Sequence, residues 1–118
     1  MLPKSQRIPR KDFSQILSLG RRYNSEHLLL YTRNLLTLGV SKFSFSVSKK
    51  VCKLAVGRNK LRRRGYNAIR RTGLIGPMCH IKPGYFCFFS FKKNSSSISF
   101  SLLEQEILHL LQDSGVIL

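Results

Sequence analysis

The chain is predicted to fold as a single α+β domain, an α/β sandwich with its elements in the order α-β-β-β-α-β-α. Three observations carry this. With 118 residues and 42% hydrophobic content there is room for one core and too much apolar content for disorder. The stretch Lys42–Ser48, KFSFSVS, alternates Phe43, Phe45 and Val47 with Ser44, Ser46 and Ser48, which describes a strand with one buried face. Three further stretches repeat apolar residues at helical spacing, one before the strand-like runs, one between them and one after.

Residues 1–9 hold basic and polar residues with two prolines and are expected to form a flexible basic arm. From Arg10 the spacing changes. Phe13, Ile16 and Leu17 recur at i, i+3 and i+4, and Gly20 offers a stop, so a short amphipathic helix is expected. Arg21–Tyr23 can begin a short strand. In His27–Arg33, Leu28 and Leu30 fall on one face of a strand and Leu29, Tyr31 and Arg33 on the other. A turn through residues 34–39 leads to the alternating strand. After Arg71 the segment TGLIGPMCHIKPG, with three glycines and two prolines, precludes a continuing helix. Tyr85–Phe91 is an apolar strand with aromatics on both faces, and residues 92–97 form a polar loop. Ser101-Leu-Leu-Glu104 has the spacing of a capping box, opening a helix whose Leu103, Ile107, Leu110 and Leu111 line one face up to Gly115.

Between the alternating strand and the turn-rich segment lies the densest charge of the chain. From Phe45 to Arg71 there are ten of its 21 Lys and Arg residues: Lys49, Lys50, Lys53, Arg58, Lys60, Arg62, Arg63, Arg64, Arg70 and Arg71. The five acids are Asp12, Glu26, Glu104, Glu106 and Asp113, so none lies within the run to neutralise it. On a helical wheel Gly57, Arg58, Leu61, Gly65, Ala68 and Ile69 fall within about 60° of Leu54, a stripe that can pack. Asn59, Arg62, Arg63, Tyr66, Asn67 and Arg70 fall on the flank or the far side, a face that can present guanidinium groups, an amide and a phenol. Gly57 and Gly65 each cost a free helix roughly 1 kcal/mol relative to Ala, and small side chains there suit close approach to a sheet.

A formal charge of +16 calls for a polyanionic partner, whose phosphates would relieve the self-repulsion of the compact fold. No membrane is expected as partner, because the longest aromatic-aliphatic run, Tyr85–Phe91, is far too short to span a bilayer. Cys52, Cys79 and Cys87 show no CxxC pairing and are expected to be reduced thiols. The first residues lack an apolar signal core, and the cytoplasm is the expected compartment. Scattered acids and histidines do not make the clustered carboxylates or placed base of a protein nuclease.

With these elements in place, the sequence resembles the protein subunit of bacterial ribonuclease P, which removes 5′ leaders from precursor tRNAs. Arg7-Ile8, Asp12-Phe13 and Gly20-Arg21-Arg22 are similar to the first helix of the family and the turn after it. Leu28–Tyr31 and Phe45-Ser46-Val47-Ser48-Lys49-Lys50 are similar to its central strands. Arg58-Asn59-Lys60-Leu61-Arg62-Arg63 resembles its signature helix, where Lys60 replaces the usual second arginine; Leu17 stands where an aromatic is frequent.

The resemblance implies a four-stranded sheet with a left-handed βαβ crossover, against the common right-handed rule. It also implies two RNA surfaces. The signature-helix region, with Lys49, Lys50, Lys53, Arg58, Asn59, Lys60, Arg62, Arg63, Tyr66 and Arg70, would meet the catalytic RNA. A cleft between the first helix and the sheet, lined by Phe13, Leu17 and Tyr31, would hold the single-stranded leader of precursor tRNA. The implied chemistry is hydrolysis performed by the RNA with Mg²⁺, held mainly by RNA and with Asn59 near a metal-hydrated phosphate; no catalytic protein residue and no other protein partner are implied. The alternative is a small basic ribosomal protein or a general RNA chaperone, which needs phosphate contacts but no stacking cleft.

Overall fold

The computed structural model describes residues 7–34, 41–71, 84–95 and 97–116. After a single 3₁₀ turn at Arg10–Asp12 come α1 (Phe13–Leu19), β1 (Arg21–Asn24), β2 (Leu28–Asn34), β3 (Lys42–Ser46), α2 (Ala55–Ile69), β4 (Tyr85–Phe91), a second 3₁₀ turn and α3 (Phe100–Asp113). The order is the predicted one. The turns expected at residues 34–39 and after Arg71 fall largely outside the described residues, as does Cys79.

The four strands form one sheet in the order β1-β2-β4-β3. The pairs β1–β2 and β2–β4 are antiparallel, whereas β3 and β4 run parallel with α2 between them in sequence. A parallel pair needs such a crossover, because a tight turn cannot return the chain to the same end of the sheet. The strand thus inserted at an interior position is YFCFFSF, the one apolar on both faces, as a strand covered from both sides should be.

On one face of the sheet Leu28, Leu30, Phe43, Phe45, Cys87, Phe89 and Phe91 meet Leu61, Ala68 and Ile69 of α2 and Leu103, Ile107, Leu110 and Leu111 of α3 in the main core. Strand alternation sends Phe86 and Phe88 to the opposite face. There Phe86 joins Ile8 and Ile16 in a smaller cluster, with Phe13, Tyr31 and Phe88 half-buried against it. Burial pushes the Cys87 thiol far up from its ordinary pKa.

Two sequence expectations need correction at the ends of elements. The arm is described only from Arg7, and Ile8 is already packed: it is buried, and its N–H donates to the Phe43 carbonyl at 3.3 Å. Packing is therefore already present before the change of spacing at Arg10, because one apolar residue between Arg7 and Pro9 shows no periodicity. At α3 the cap is Ser99, not Ser101: the Ser99 hydroxyl accepts from the Leu102 N–H at 3.2 Å. At its other end the N–H groups of Gly115 and Val116 donate to the carbonyls of Gln112 and Leu111 at 3.1 and 3.0 Å. That double closure requires the positive φ of 79° that Gly115 adopts.

Polar contacts tie α3 to the hairpin of β1 and β2. The Glu106 carboxylate accepts from the Ser25 hydroxyl at 2.6 Å and from the His27 N–H at 2.9 Å, and its second oxygen lies 2.6 Å from His27 Nδ1. Burial by itself would raise the Glu106 pKa, but these hydrogen bonds and the His27 charge outweigh it and hold the carboxyl below its usual range. Lys92 adds its Nζ to the Ser25 carbonyl at 2.5 Å. At the start of the same helix Arg71 pairs with Glu104 at 3.2 Å and lies 5.6 Å from the centre of the Phe100 ring.

Candidate nucleic-acid interface

Two surfaces follow from this framework, and the first is α2 with the loop before it. A turn closed by the Val51 and Cys52 N–H groups on the Ser48 carbonyl leads into the helix, and Lys49, Lys50 and Lys53 project from it exposed. Arg58 is turned back on this loop: one guanidinium nitrogen donates to the carbonyls of Cys52 and Lys53 at 3.1 and 2.8 Å. It shapes the loop and leaves less of its charge free than the RNA contact implied by the family resemblance would use. Asn59, Lys60, Arg63 and Arg70 are exposed and Arg62 is partly so.

Val56, Asn59, Arg62, Arg63 and Tyr66 border a hollow of about 560 Å³. No carboxylate lines it among the described residues. Within it Arg62 donates to the Asn59 side-chain oxygen, which orients the guanidinium along the helix. Tyr66 departs from the sequence expectation. The helical wheel puts it on the presenting face, yet it is buried at 5% exposure, its ring edge-on to Phe45 with centroids 5.0 Å apart. The reason is local: Gly65 lets α2 settle onto Phe45, and the neighbouring ring swings in from the flank to close the contact. The hollow thus has an aromatic floor and a cationic rim. Leu54, the centre of the packing stripe on the helical wheel, is instead the exposed residue before the helix.

The second surface is the sheet face turned away from α2 and α3. The registers Arg22↔Tyr31, Tyr31↔Phe88 and Ser44↔Phe88 put Arg22, Tyr31, Phe88 and Ser44 in one row across all four strands. Phe88 is its hub: its ring meets Phe13 of α1 edge-on at 5.1 Å and Tyr31 at 6.2 Å. All three rings are only half-buried. Arg33 and Lys42, on the same face of the adjoining row, supply positive charge, and Arg33 also fixes α1 by donating to Gln15 Oε1 at 2.6 Å. Phe13 and Tyr31 are therefore brought together, as expected, but through Phe88, which the sequence reading did not single out. Leu17 lies one turn after Phe13, 51% exposed and outside the packed cluster.

The described residues do not fit a metal ion held by the protein. Among the described residues no three His, Cys, Asp or Glu side chains converge. The side-chain oxygen of Asn59, the candidate ligand, already carries the guanidinium of Arg62. None of the described helices is long and apolar enough to cross a membrane.

The geometry can be set against known proteins. A family model described as ribonuclease P matches residues 2–115. The ribonuclease P protein component of Picosynechococcus sp. is 31% identical over 98% of this chain and 95% of its own length. That of Cyanothece sp. is 29% identical over 99% and 98%. In structure, the RNase P protein of Staphylococcus aureus superposes with a TM-score of 0.82 at 22% identity, covering 98% of this chain and 100% of that one. The Thermotoga maritima RNase P protein gives 0.77 at 24% identity, covering 91% and 96%. These likenesses disfavour the ribosomal-protein and chaperone alternative, and the match over nearly the whole length means that the chain belongs to the ribonuclease P protein family.

Proposed function

We propose that this ribonuclease P protein binds the catalytic RNA of its holoenzyme through α2 and the preceding loop, and holds the unpaired 5′ leader of precursor tRNA on the opposite sheet face. The observation that carries the reading is the row of half-buried rings, Tyr31 and Phe88 with Phe13 across them, set among Arg22, Arg33 and Lys42. Rings at a basic surface stack on any unpaired base, and flanking cations follow the backbone, so the leader is gripped with little dependence on sequence.

On the other side Lys49, Lys50, Lys53, Lys60, Arg62, Arg63 and Arg70 neutralise phosphates of the RNA. Asn59 orients Arg62 toward them, Arg58 keeps the loop in place and Tyr66 supports the floor from within the core. Mg²⁺ belongs to the RNA in this reading, with Asn59 near the phosphates that hold it. The protein lowers the repulsion between leader and catalytic RNA and positions the strand. The cytoplasm is the compartment we infer, since the free thiols Cys52 and Cys87 suit a reducing environment.

Reconstitution tests this directly. Protein alone should leave precursor tRNA intact, while protein added to the cognate RNA should lower the Mg²⁺ concentration that cleavage requires. Metal-dependent cleavage by protein rigorously freed of RNA would overturn the division of labour.

A further inference from the structure

At one end of the sandwich five chain ends converge: α1 finishes at Leu19, β1 begins at Arg21, β2 finishes at Asn34, β4 begins at Tyr85, and α3 is capped by Ser114. Between them lies a hollow of about 460 Å³, lined also by Tyr23, Thr32 and Arg33. Of its lining only Arg33 also belongs to an RNA surface, that of the aromatic row; the rest lies outside both. By register Arg21 pairs with Thr32 and Asn34 with Tyr85, so these side chains lie on the α3 side of the sheet, away from the row of Tyr31 and Phe88.

The lining has a consistent chemistry. It offers the Arg21 guanidinium, two phenols, two hydroxyls and an amide, with Arg33 at its border and no carboxylate among the described residues. Arg33 is engaged by Gln15 and the Ser114 hydroxyl by the Leu111 carbonyl, but Arg21 is exposed and has no acceptor among the described residues. The negative end of α3 points here, yet the N–H groups of Ser114, Gly115 and Val116 satisfy carbonyls of its last turn. A free guanidinium favours phosphate. The volume is many times that of a phosphate group and falls in the range of small-molecule pockets, so more than an inorganic anion fits.

We propose that this hollow is a second nucleotide site, which takes one unpaired nucleotide of an RNA strand with its phosphate on Arg21 and its base among Tyr23, Asn34 and Tyr85. The inference rests on the RNA-binding reading above, and gives the protein a contact apart from both α2 and the aromatic row. A strand that enters here is fixed by one nucleotide and not by a stacked run.

The test is a titration of the full chain with uridine 5′-monophosphate, and separately with inorganic phosphate, followed through backbone amide resonances. The nucleotide should move the signals of Asn34, Tyr85 and Ser114 at lower concentration than phosphate does. Arg21→Ala removes an exposed side chain and should leave the fold intact; it should weaken this response about tenfold, the weight of one charge-assisted hydrogen bond. Responses at Phe13 and Phe88 should stay as in the parent. Silence at Asn34, Tyr85 and Ser114, an unchanged affinity in Arg21→Ala, or phosphate equalling the nucleotide would each overturn the site. A holoenzyme that still assembles and processes leaders after such a result would leave the proposed function standing, so the two failures are distinguishable.

Discussion

Gly65 and Phe45 sit so close that no larger residue fits between α2 and β3: a Cβ at Gly65 would lie 2.5 Å from Phe45 Cδ1. Phe45 cannot retreat, because it is stacked on Phe89 at 4.8 Å with the planes 8° apart. In a free helix Gly→Ala would gain about 1 kcal/mol. Here the overlap decides the sign. Gly65→Ala should destabilise the domain by about 1–3 kcal/mol, the usual cost of overpacking. Urea unfolding checks this, and a variant as stable as the parent would show that α2 is free to lift.

Glu106 sets a second expectation, in acid. Its folded pKa lies below the ordinary value of 4.5, so as the pH falls the unfolded chain takes up this proton before the folded one does. The stabilisation is therefore complete above that ordinary value and is lost as the pH drops through the lowered folded pKa. The difference in unfolding free energy between parent and Glu106→Gln should shrink as the pH falls below 4.5. A difference that widens in acid would contradict the hydrogen bonds from Ser25 and His27.

How much of this was legible in the sequence varied with the local signal. KFSFSVS declared its register because one face is polar, and Leu103, Ile107, Leu110 and Leu111 declared theirs because one helical stripe is apolar; all of these faces are buried where expected. YFCFFSF gave the strand but hid Phe88, since aromatics on both faces leave alternation silent. The wheel misplaces Tyr66 because a ring on the flank of a helix is pulled in or left out by the neighbour it meets, and that neighbour, Phe45, is fixed only by the tertiary approach at Gly65. Ser99 and Ser101 compete as caps on equal local terms, and packing of Phe100 under Arg71 accompanies the earlier one. The Glu106 contacts join residues about eighty positions apart, beyond any local pattern.

The α2 face predicts a salt response. If about six to eight phosphates are neutralised, log K should fall with log[salt] at a slope on the order of −5 to −7, by analogy with duplex DNA. Replacing Arg62 and Arg63 together by Ala should flatten that slope by about one unit per lost contact. An unchanged slope would mean that these guanidinium groups face only solvent.

The central claim is that the row of Tyr31 and Phe88 holds the leader, and Tyr31→Ala tests it most directly. In holoenzyme reconstituted from folded protein, binding of precursor tRNA should weaken by about 1–3 kcal/mol, the worth of one base stacked on a ring. Mature tRNA, which has no leader to stack, should bind the variant holoenzyme as tightly as the parent. Equal weakening of both RNAs at matched folded fraction, or no weakening of either, would contradict the account.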